Sequence, residues 1–318
     1  MRAVICTRYG SADFLEIAQM DTPVPGKKDI IVQIHATTVS AGDIRVRQFQ
    51  SPLLLWIPMR LVLGIRKPRN PVLGVELAGQ VVDCGSEVTQ FQRGDRVFAL
   101  TGMRFGAHAE YIRLPESAQI TRMPKGMAYE QAAALPYSGT SALCFLRRAR
   151  IQPGQRILIY GASGAVGSTA VQLAAHYGAV VTGVCGPNNL QMVQSMGASK
   201  VIDYTKTVFQ EQPERYDIIF DAVGKLSEKQ AVPALVPGGT YITVDGQGMI
   251  RTTRDDLIYI RERAEAGEIW PVIDRYYTLD EVPDAHRYVE QGHKKGNVVI
   301  RVSNADTEGT DIVQPKKL

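Results

Sequence analysis

The residues most able to do chemistry are glycines. Ile159-Tyr160 leads into Gly161-Ala162-Ser163-Gly164-Ala165-Val166-Gly167, and a run of helical periodicity continues to Tyr177. Strand, glycine loop and helix in that order form a dinucleotide cradle. Gly161 permits the tight turn and Gly164 lets the backbone approach a pyrophosphate. Gly167 lets the helix pack on the strand. The N–H groups around Ser163, Ala165 and Val166 then face the phosphates at the positive end of the helix. The chemistry such a loop serves is hydride transfer from a nicotinamide.

The next strand decides which nicotinamide. An NAD site ordinarily places Asp or Glu about 20 residues past the loop, on the ribose diol. This chain reads Thr182-Gly183-Val184-Cys185-Gly186-Pro187-Asn188-Asn189, with no acid. A 2′-phosphate would meet no repulsion after Cys185, and Gly186 leaves it room. Asn188, Asn189 and Tyr204 are candidate donors to it, so NADP is expected over NAD. Asn188 also reads as an N-cap of the next helix, and it can do both jobs. Val223-Gly224 and Val244-Asp245 come after the ends of predicted strands, where an open sheet binds its ligand. Asn297, at the start of the last predicted strand, completes the expected cofactor set.

Metal chemistry finds little support. Cys6, Cys84, Cys144 and Cys185 are far apart and form no C-x-x-C pair. Cys84 and Cys144 read as buried small hydrophobes. His35, His108, His176, His286 and His293 are scattered and read as structural or surface residues.

Two kinds of element must position these groups. As far as about residue 120 the chain is β-rich: Ala3–Cys6, Ile30–Ala36, Leu77–Val82 and Arg96–Ala99 are short strand signals. After Pro124 come two helices, Tyr129–Ala134 and Ser138–Ala149. A strict alternation comes next: strands at Arg156–Tyr160, Val180–Val184, Val201–Ile202, Tyr216–Asp221 and Thr240–Val244, with helices at Val166–Tyr177, Asn188–Met196 and Ser227–Leu235. Continuous apolar strands between helices predict a parallel sheet covered on both faces. The alternation ends at Gly248, then Arg254–Ala266 reads as helix. A strand near Tyr276, a helix over Val282–Gln291 and a strand over Asn297–Val302 return to the first domain, and the polar stretch from Ser303 reads as a tail.

Composition sets outer limits. The 318 residues are 45% hydrophobic and 21% charged, with a formal net charge of +4, as in a two-domain globular protein. That balance is too even for a nucleic-acid footprint. The first twenty residues lack the long apolar core of a signal peptide, and scattered thiols fit a reducing compartment, so a cytoplasmic location is expected.

Taken together, Gly74-Val75-Glu76-Leu77-Ala78-Gly79, Gly94-Asp95-Arg96-Val97, Gly106-Ala107-His108-Ala109-Glu110-Tyr111, Leu135-Pro136 with Gly139-Thr140-Ser141-Ala142, and the 161–167 loop carry a resemblance over residues 1–302. Asp221-Ala222-Val223-Gly224 and Pro237-Gly238-Gly239 extend it. The chain resembles the zinc-free quinone oxidoreductase branch of the medium-chain dehydrogenase/reductase superfamily. The resemblance implies an α/β protein with a GroES-like β-barrel catalytic domain (residues 1–122 and 250–302) and a Rossmann doubly wound NADP-binding domain (123–249). It also implies an active site in the cleft between them and a dimer or tetramer, of which a homodimer is expected. Zinc-dependent members of the superfamily carry a Cys and a His where this chain has Ser40 and Val75, and their third ligand falls near Pro136. No zinc is therefore expected.

Without a Lewis acid, reduction of an isolated ketone loses several kcal/mol of charge stabilisation. Quinones, enals and enones delocalise the charge themselves, which makes an NADPH-dependent quinone or enone reductase the expected activity. An NADP-dependent alcohol dehydrogenase, which the missing zinc ligands disfavour, and a non-catalytic NADPH-binding redox sensor are the alternatives. Candidate catalytic residues are Ser40, Asp43, Arg45, Tyr137 and Thr140, with Ser138 beside them. Arg45 reads equally as an ion-pair partner of Asp43, and Thr140 as a contact of the nicotinamide ribose. Residues 49–69 combine Leu53-Leu54-Leu55-Trp56, Met59, Leu61, Val62 and Leu63 with Arg66, Lys67 and Arg69. By family position this segment borders the substrate cleft. It reads as a loop packed on its own domain, as an apolar wall for a lipophilic acceptor, or as a membrane-surface contact.

Overall fold

A computed structural model describes residues 1–50, 56–245 and 251–302. Leu53-Leu54-Leu55, Gly246 and the polar stretch from Ser303 lie outside the described residues.

The N-terminal segment is built on one long strand. After the antiparallel pair β1 (Arg2–Cys6) and β2 (Leu15–Gln19), β3 (Asp29–Val39) runs eleven residues rich in Ile, Val and Thr, nearly all buried. Helix α1 (Ala41–Arg47) starts at once, then α2 (Trp56–Leu63). Strands β4 (Glu76–Cys84), β5 (Arg96–Leu100), β6 (Tyr111–Pro115) and β7 (Gln119–Arg122) and helix α3 (Tyr129–Ala133) complete the segment. β4 pairs antiparallel with β3, with breaks in register between Ile31 and Val32 and between Ile34 and Ala36. Such irregularities bend a strand and increase its twist. Gly74 sits at φ +90°, and a Cβ there would lie 2.6 Å from the His108 ring and 2.8 Å from the His108 backbone nitrogen. Only glycine lets the turn before β4 pack on the Gly106–Tyr111 motif.

The next segment alternates as its sequence predicts. α4 (Pro136–Arg148) leads to β8 (Arg156–Tyr160), α5 (Ala165–His176), β9 (Val180–Cys185), α6 (Leu190–Ser195), β10 (Lys200–Asp203) and β11 (Tyr216–Asp221). α7 (Glu228–Ala231), β12 (Leu235–Thr243) and α8 (Arg254–Glu265) come after them. All strand pairs are parallel, in the order β10-β9-β8-β11-β12. This is the doubly wound order, which reverses direction between β8 and β11. The helix expected over Ser227–Leu235 is shorter than its pattern. It ends at Ala231, a 3-10 turn around Pro233 comes next, and Leu235 already belongs to β12. A proline lacks the N–H that would continue the helix.

β13 (Ile273–Thr278), α9 (Val282–Glu290) and β14 (Asn297–Arg301) close the chain. β14 pairs antiparallel with the second half of β3, Val298 opposite Val39, while β6 pairs with the first half. Residues 273–302 thus rejoin the sheet begun at the N-terminus. The chain divides into two compact units, Met1–Pro136 with the segment from Ile273, and Tyr137–Val272. The first encloses a core of Ile30, Val32, Ile34, Leu77, Val97, Ile120, Val298 and Ile300. The second is centred on Leu158, Val184, Ile202 and Ile219.

Candidate cofactor-binding site

In the second unit, the loops after β8, β9, β10, β11 and β12 lie at the carboxyl ends of the parallel strands. That edge, at the point where strand order reverses, is where such sheets bind ligands. Gly161 has φ +78°, and its N–H and that of Ala162 both donate to Val184 O at 3.0 Å. A Cβ on Gly167 would stand 2.1 Å from Gly161 O, so the helix seats on the loop only because Gly167 lacks one. Gly164 differs. It is the N-cap of α5, at φ −76° and ψ 174°, with no side-chain cap. A Cβ there would meet only Gly161 O, at 3.4 Å. Protein packing therefore leaves the place of that Cβ open. An uncapped helix start behind an open cradle is the donor arrangement a pyrophosphate needs, and Ser163, Gly164, Ala165 and Val166 surround it.

The neighbouring loops meet this one. A Cβ on Gly161 would lie 2.5 Å from the Val223 side chain, and one on Gly224 would lie 2.9 Å from Asp245. Buried Asp221 shapes the first of these loops, accepting from the N–H groups of Val223, Gly224 and Leu226 at 3.1, 3.0 and 2.8 Å. Burial pushes its carboxyl above the ordinary range, against the pull of those hydrogen bonds. Val244 N–H donates to Asp221 O at 3.0 Å, tying in the loop after β12.

The loop after β9 carries the nucleotide-selecting positions. Cys185 is buried, and burial pushes its thiol up to about 11, so only its backbone faces the loop chemistry. Pro187-Asn188-Asn189 forms a 3-10 turn. Asn188 is inside that turn and does not cap α6; the cap position is Asn189, which makes no side-chain cap bond. A Cβ on Gly186 would lie 3.6 Å from the Tyr204 hydroxyl, so Tyr204 stands beside the open glycine, its side chain half exposed. Lys206, two residues later, is exposed. The sequence pattern did not mark it because it lies beyond the stretch where the selecting acid would fall; the parallel pairing of β10 with β9, which ends with Asp203 opposite Cys185, puts its loop at the same edge of the sheet.

The catalytic candidates fall in both units. Ser40 caps α1, and its one hydroxyl proton goes to Asp43 Oδ2 at 2.6 Å. In this arrangement the Ser40 hydroxyl serves the helix cap. Asp43 is fully buried, accepts from Ser40 N–H at 2.8 Å, and takes Gly74 N–H at 3.2 Å on its other oxygen. It fixes the turn before β4. Arg45 is exposed on α1. In the second unit Ser138 and Thr140 are buried in the first turns of α4, and Tyr137 is half-buried. Asn297 is buried at the start of β14 in the first unit. Near it, Lys294 carried no signal in the sequence; its ammonium donates to Gly296 O at 2.5 Å, and burial pushes it down to about 8 against the attraction of Asp274 and Glu76.

The cysteines and histidines divide. Cys84 and Cys144 are partly exposed rather than buried, whereas Cys6 and Cys185 are buried. His108 and His286 are both fully buried, edge to face with centroids 5.6 Å apart. Among the described residues no three His, Cys, Asp or Glu side chains cluster as metal ligands.

Comparison with known proteins agrees with this geometry. Residues 26–125 match the model of the alcohol dehydrogenase GroES-like domain, and residues 165–280 that of the zinc-binding dehydrogenase family. The chain is 31% identical to a 2-methylene-furan-3-one reductase of Solanum lycopersicum, over 94% of this chain and 79% of that one. It is also 31% identical, with the same coverage, to an NADPH-dependent alkenal/one oxidoreductase of Arabidopsis thaliana. A solved quinone oxidoreductase from Coxiella burnetii superposes with a TM-score of 0.84 at 24% identity, covering 95% of this chain and 99% of that one. The chain belongs to the medium-chain dehydrogenase/reductase superfamily, in its quinone oxidoreductase branch. Its two parts are the GroES-like domain and the Rossmann-like parallel sheet, and it is an oxidoreductase that works with a nicotinamide cofactor.

Proposed function

We propose that the chain reduces quinones or α,β-unsaturated carbonyls with NADPH, without a catalytic metal. One observation carries the reading: where a catalytic zinc would take its first ligand, Ser40 is spent on capping α1 through Asp43. Val75 and Pro136, at the other two positions, offer no ligand atom in their side chains. An acceptor that delocalises its own charge suits such a site. The names of the relatives, an alkenal/one oxidoreductase and a furanone reductase, agree with it.

The preference for NADPH rests on the loop after β9. No acid follows Cys185, Tyr204 stands beside Gly186 as a hydroxyl donor for a 2′-phosphate, and exposed Lys206 in the loop after β10 is a candidate cation for it. The α5 N-terminus would hold the pyrophosphate, and the loops after β11 and β12 would border the nicotinamide half. When bound, the cofactor supplies a hydride to the electron-poor carbon of the acceptor. Tyr137 and Arg45 are candidate donors to the oxygen that gains charge, and water returns the proton. The same reading takes the enzyme as a cytoplasmic homodimer.

Absorbance-monitored oxidation of NADPH and NADH against a benzoquinone, a 2-alkenal, a cyclic enone and a simple ketone tests the proposal. NADPH-preferring, chelator-resistant turnover of the conjugated acceptors is expected. Turnover of the ketone alone, or loss of activity with a chelator, overturns it. Tight NADPH binding without turnover would make the chain a nucleotide-binding sensor.

A further inference from the structure

Residues 44–75 hold six cations and no acid. Two of the cations are internal. Arg47 is buried and pairs with Glu290 at 2.7 Å. Arg60 lays its guanidinium 3.8 Å from the Phe49 ring centroid, 4.8 Å from that of Trp56 and 4.9 Å from that of Tyr9, and donates to Ile65 O. The Tyr9 hydroxyl donates to Gly64 O at 3.1 Å, and Arg69 N–H to Leu63 O at 2.7 Å. These bonds fix α2 and the turn after it.

The fixed helix presents an apolar face. Leu63 is the only buried residue of α2, while Ile57 is 66% exposed, Leu61 59%, Val62 58% and Ile65, just beyond, 69%. Arg66, Lys67 and Arg69, directly after it, are exposed. None of the ion pairs among the described residues involves these three. Leu61, Ile65, Arg66, Lys67 and Arg69 line a shallow groove of about 680 Å³. No helix among the described residues is long and apolar enough to cross a membrane.

We propose that this face docks on an anionic bilayer, with Ile57, Leu61, Val62 and Ile65 in the interface and Arg66, Lys67 and Arg69 on lipid phosphates. Apolar side chains bordered by cations are the composition of an interfacial helix. Charge selects the occupant. A symmetric contact with a second copy would bring cations against cations, with no acid from residues 44–75 to neutralise them. An anionic lipid surface neutralises all three.

The test is flotation of the full chain with phosphatidylcholine vesicles, with and without phosphatidylglycerol. Each juxtamembrane cation contributes about fivefold in affinity, so three predict a preference of order 100-fold for the anionic vesicles. R66E/K67E/R69E should abolish that preference, and I57S/L61S should weaken binding to both compositions. All five side chains are exposed, and an unchanged melting temperature would show the variants folded. Equal binding to both vesicle types, or variants that bind like the parent, overturns the proposal. A concentration-dependent dimer dissolved by I57S/L61S would assign the face to a second copy and overturn it too.

Discussion

Gly164 and Gly167 separate what the fold needs from what the cofactor needs. Gly164→Ala places a methyl where the nearest protein atom is Gly161 O at 3.4 Å, an ordinary contact, on a backbone that any residue adopts. Losing glycine at an N-cap costs about 0.5–1 kcal/mol, and reducing the freedom of the unfolded chain returns about 0.4–1, so stability should hardly change. The methyl nevertheless fills the cradle in front of the α5 N–H groups. Losing one charge-assisted hydrogen bond to phosphate costs about 1.5–3 kcal/mol, or roughly 10- to 150-fold in NADPH affinity. Gly167→Ala should behave differently. In open space alanine would stabilise a helix by about 1 kcal/mol, but its Cβ would stand 2.1 Å from Gly161 O. Relieving such overpacking costs about 1–3 kcal/mol, enough to reverse the sign. Thermal unfolding of the free chain and fluorescence titration with NADPH measure both. If Gly164→Ala binds NADPH within about twofold of the parent, the pyrophosphate reading of the loop is wrong.

Ser40→Ala removes the α1 cap and should cost about 1 kcal/mol, a fall of roughly 2–4 °C in melting temperature, with kcat unchanged; a large kcat loss at constant stability would return Ser40 to the catalytic set. Gly186→Asp puts an acid beside Tyr204 and should shift the NADPH/NADH ratio of kcat/KM toward NADH by about tenfold or more; an unmoved ratio would place the 2′-phosphate elsewhere. His286 is held well below its ordinary pKa by burial, with His108 and Arg47 adding repulsion. The unfolded chain therefore takes up a proton that the folded one refuses, so stability is full above about pH 6.5 and falls as pH drops below it. His286→Leu should flatten that fall by up to about 1.4 kcal/mol per pH unit in urea unfolding at pH 7 and pH 5; an unchanged slope would assign it to other groups.

The second unit was far more legible than the first, and the reason is physical. Strands buried on both faces read as continuous apolar runs, and Arg156–Tyr160 and Tyr216–Asp221 match their predicted bounds. In the first unit, Leu15–Gln19, Tyr111–Pro115 and Gln119–Arg122 escaped notice because Glu16, Arg113 and Arg122 are turned to solvent and interrupt the apolar signal. Helix α1 was missed for another reason. Ser40-Ala41-Gly42-Asp43 contains a capping box one residue type away from its usual Glu or Gln, and Ile44-Arg45-Val46-Arg47 alternates apolar and charged residues as a strand would.

The site divides the same way, between what neighbours in sequence decide and what neighbours in space decide. The roles of Gly161 and Gly167 come from strand, loop and helix being contiguous, and could be read from the chain. That the Ser40 hydroxyl donates to Asp43, three residues on, depends on the turn that starts α1 and not on the residue types alone. Whether Asn188 caps a helix depends on where that helix starts, later than its pattern suggested. Asp221 could be seen as part of a motif, but not as the acceptor for three backbone N–H groups, because the loop it gathers has no periodicity of its own. Lys206 is the sharpest case. It is far along the chain from Gly186, and only the parallel pairing of β10 with β9, which ends with Asp203 opposite Cys185, puts its loop at the edge of the sheet where Gly186 lies and makes it a candidate.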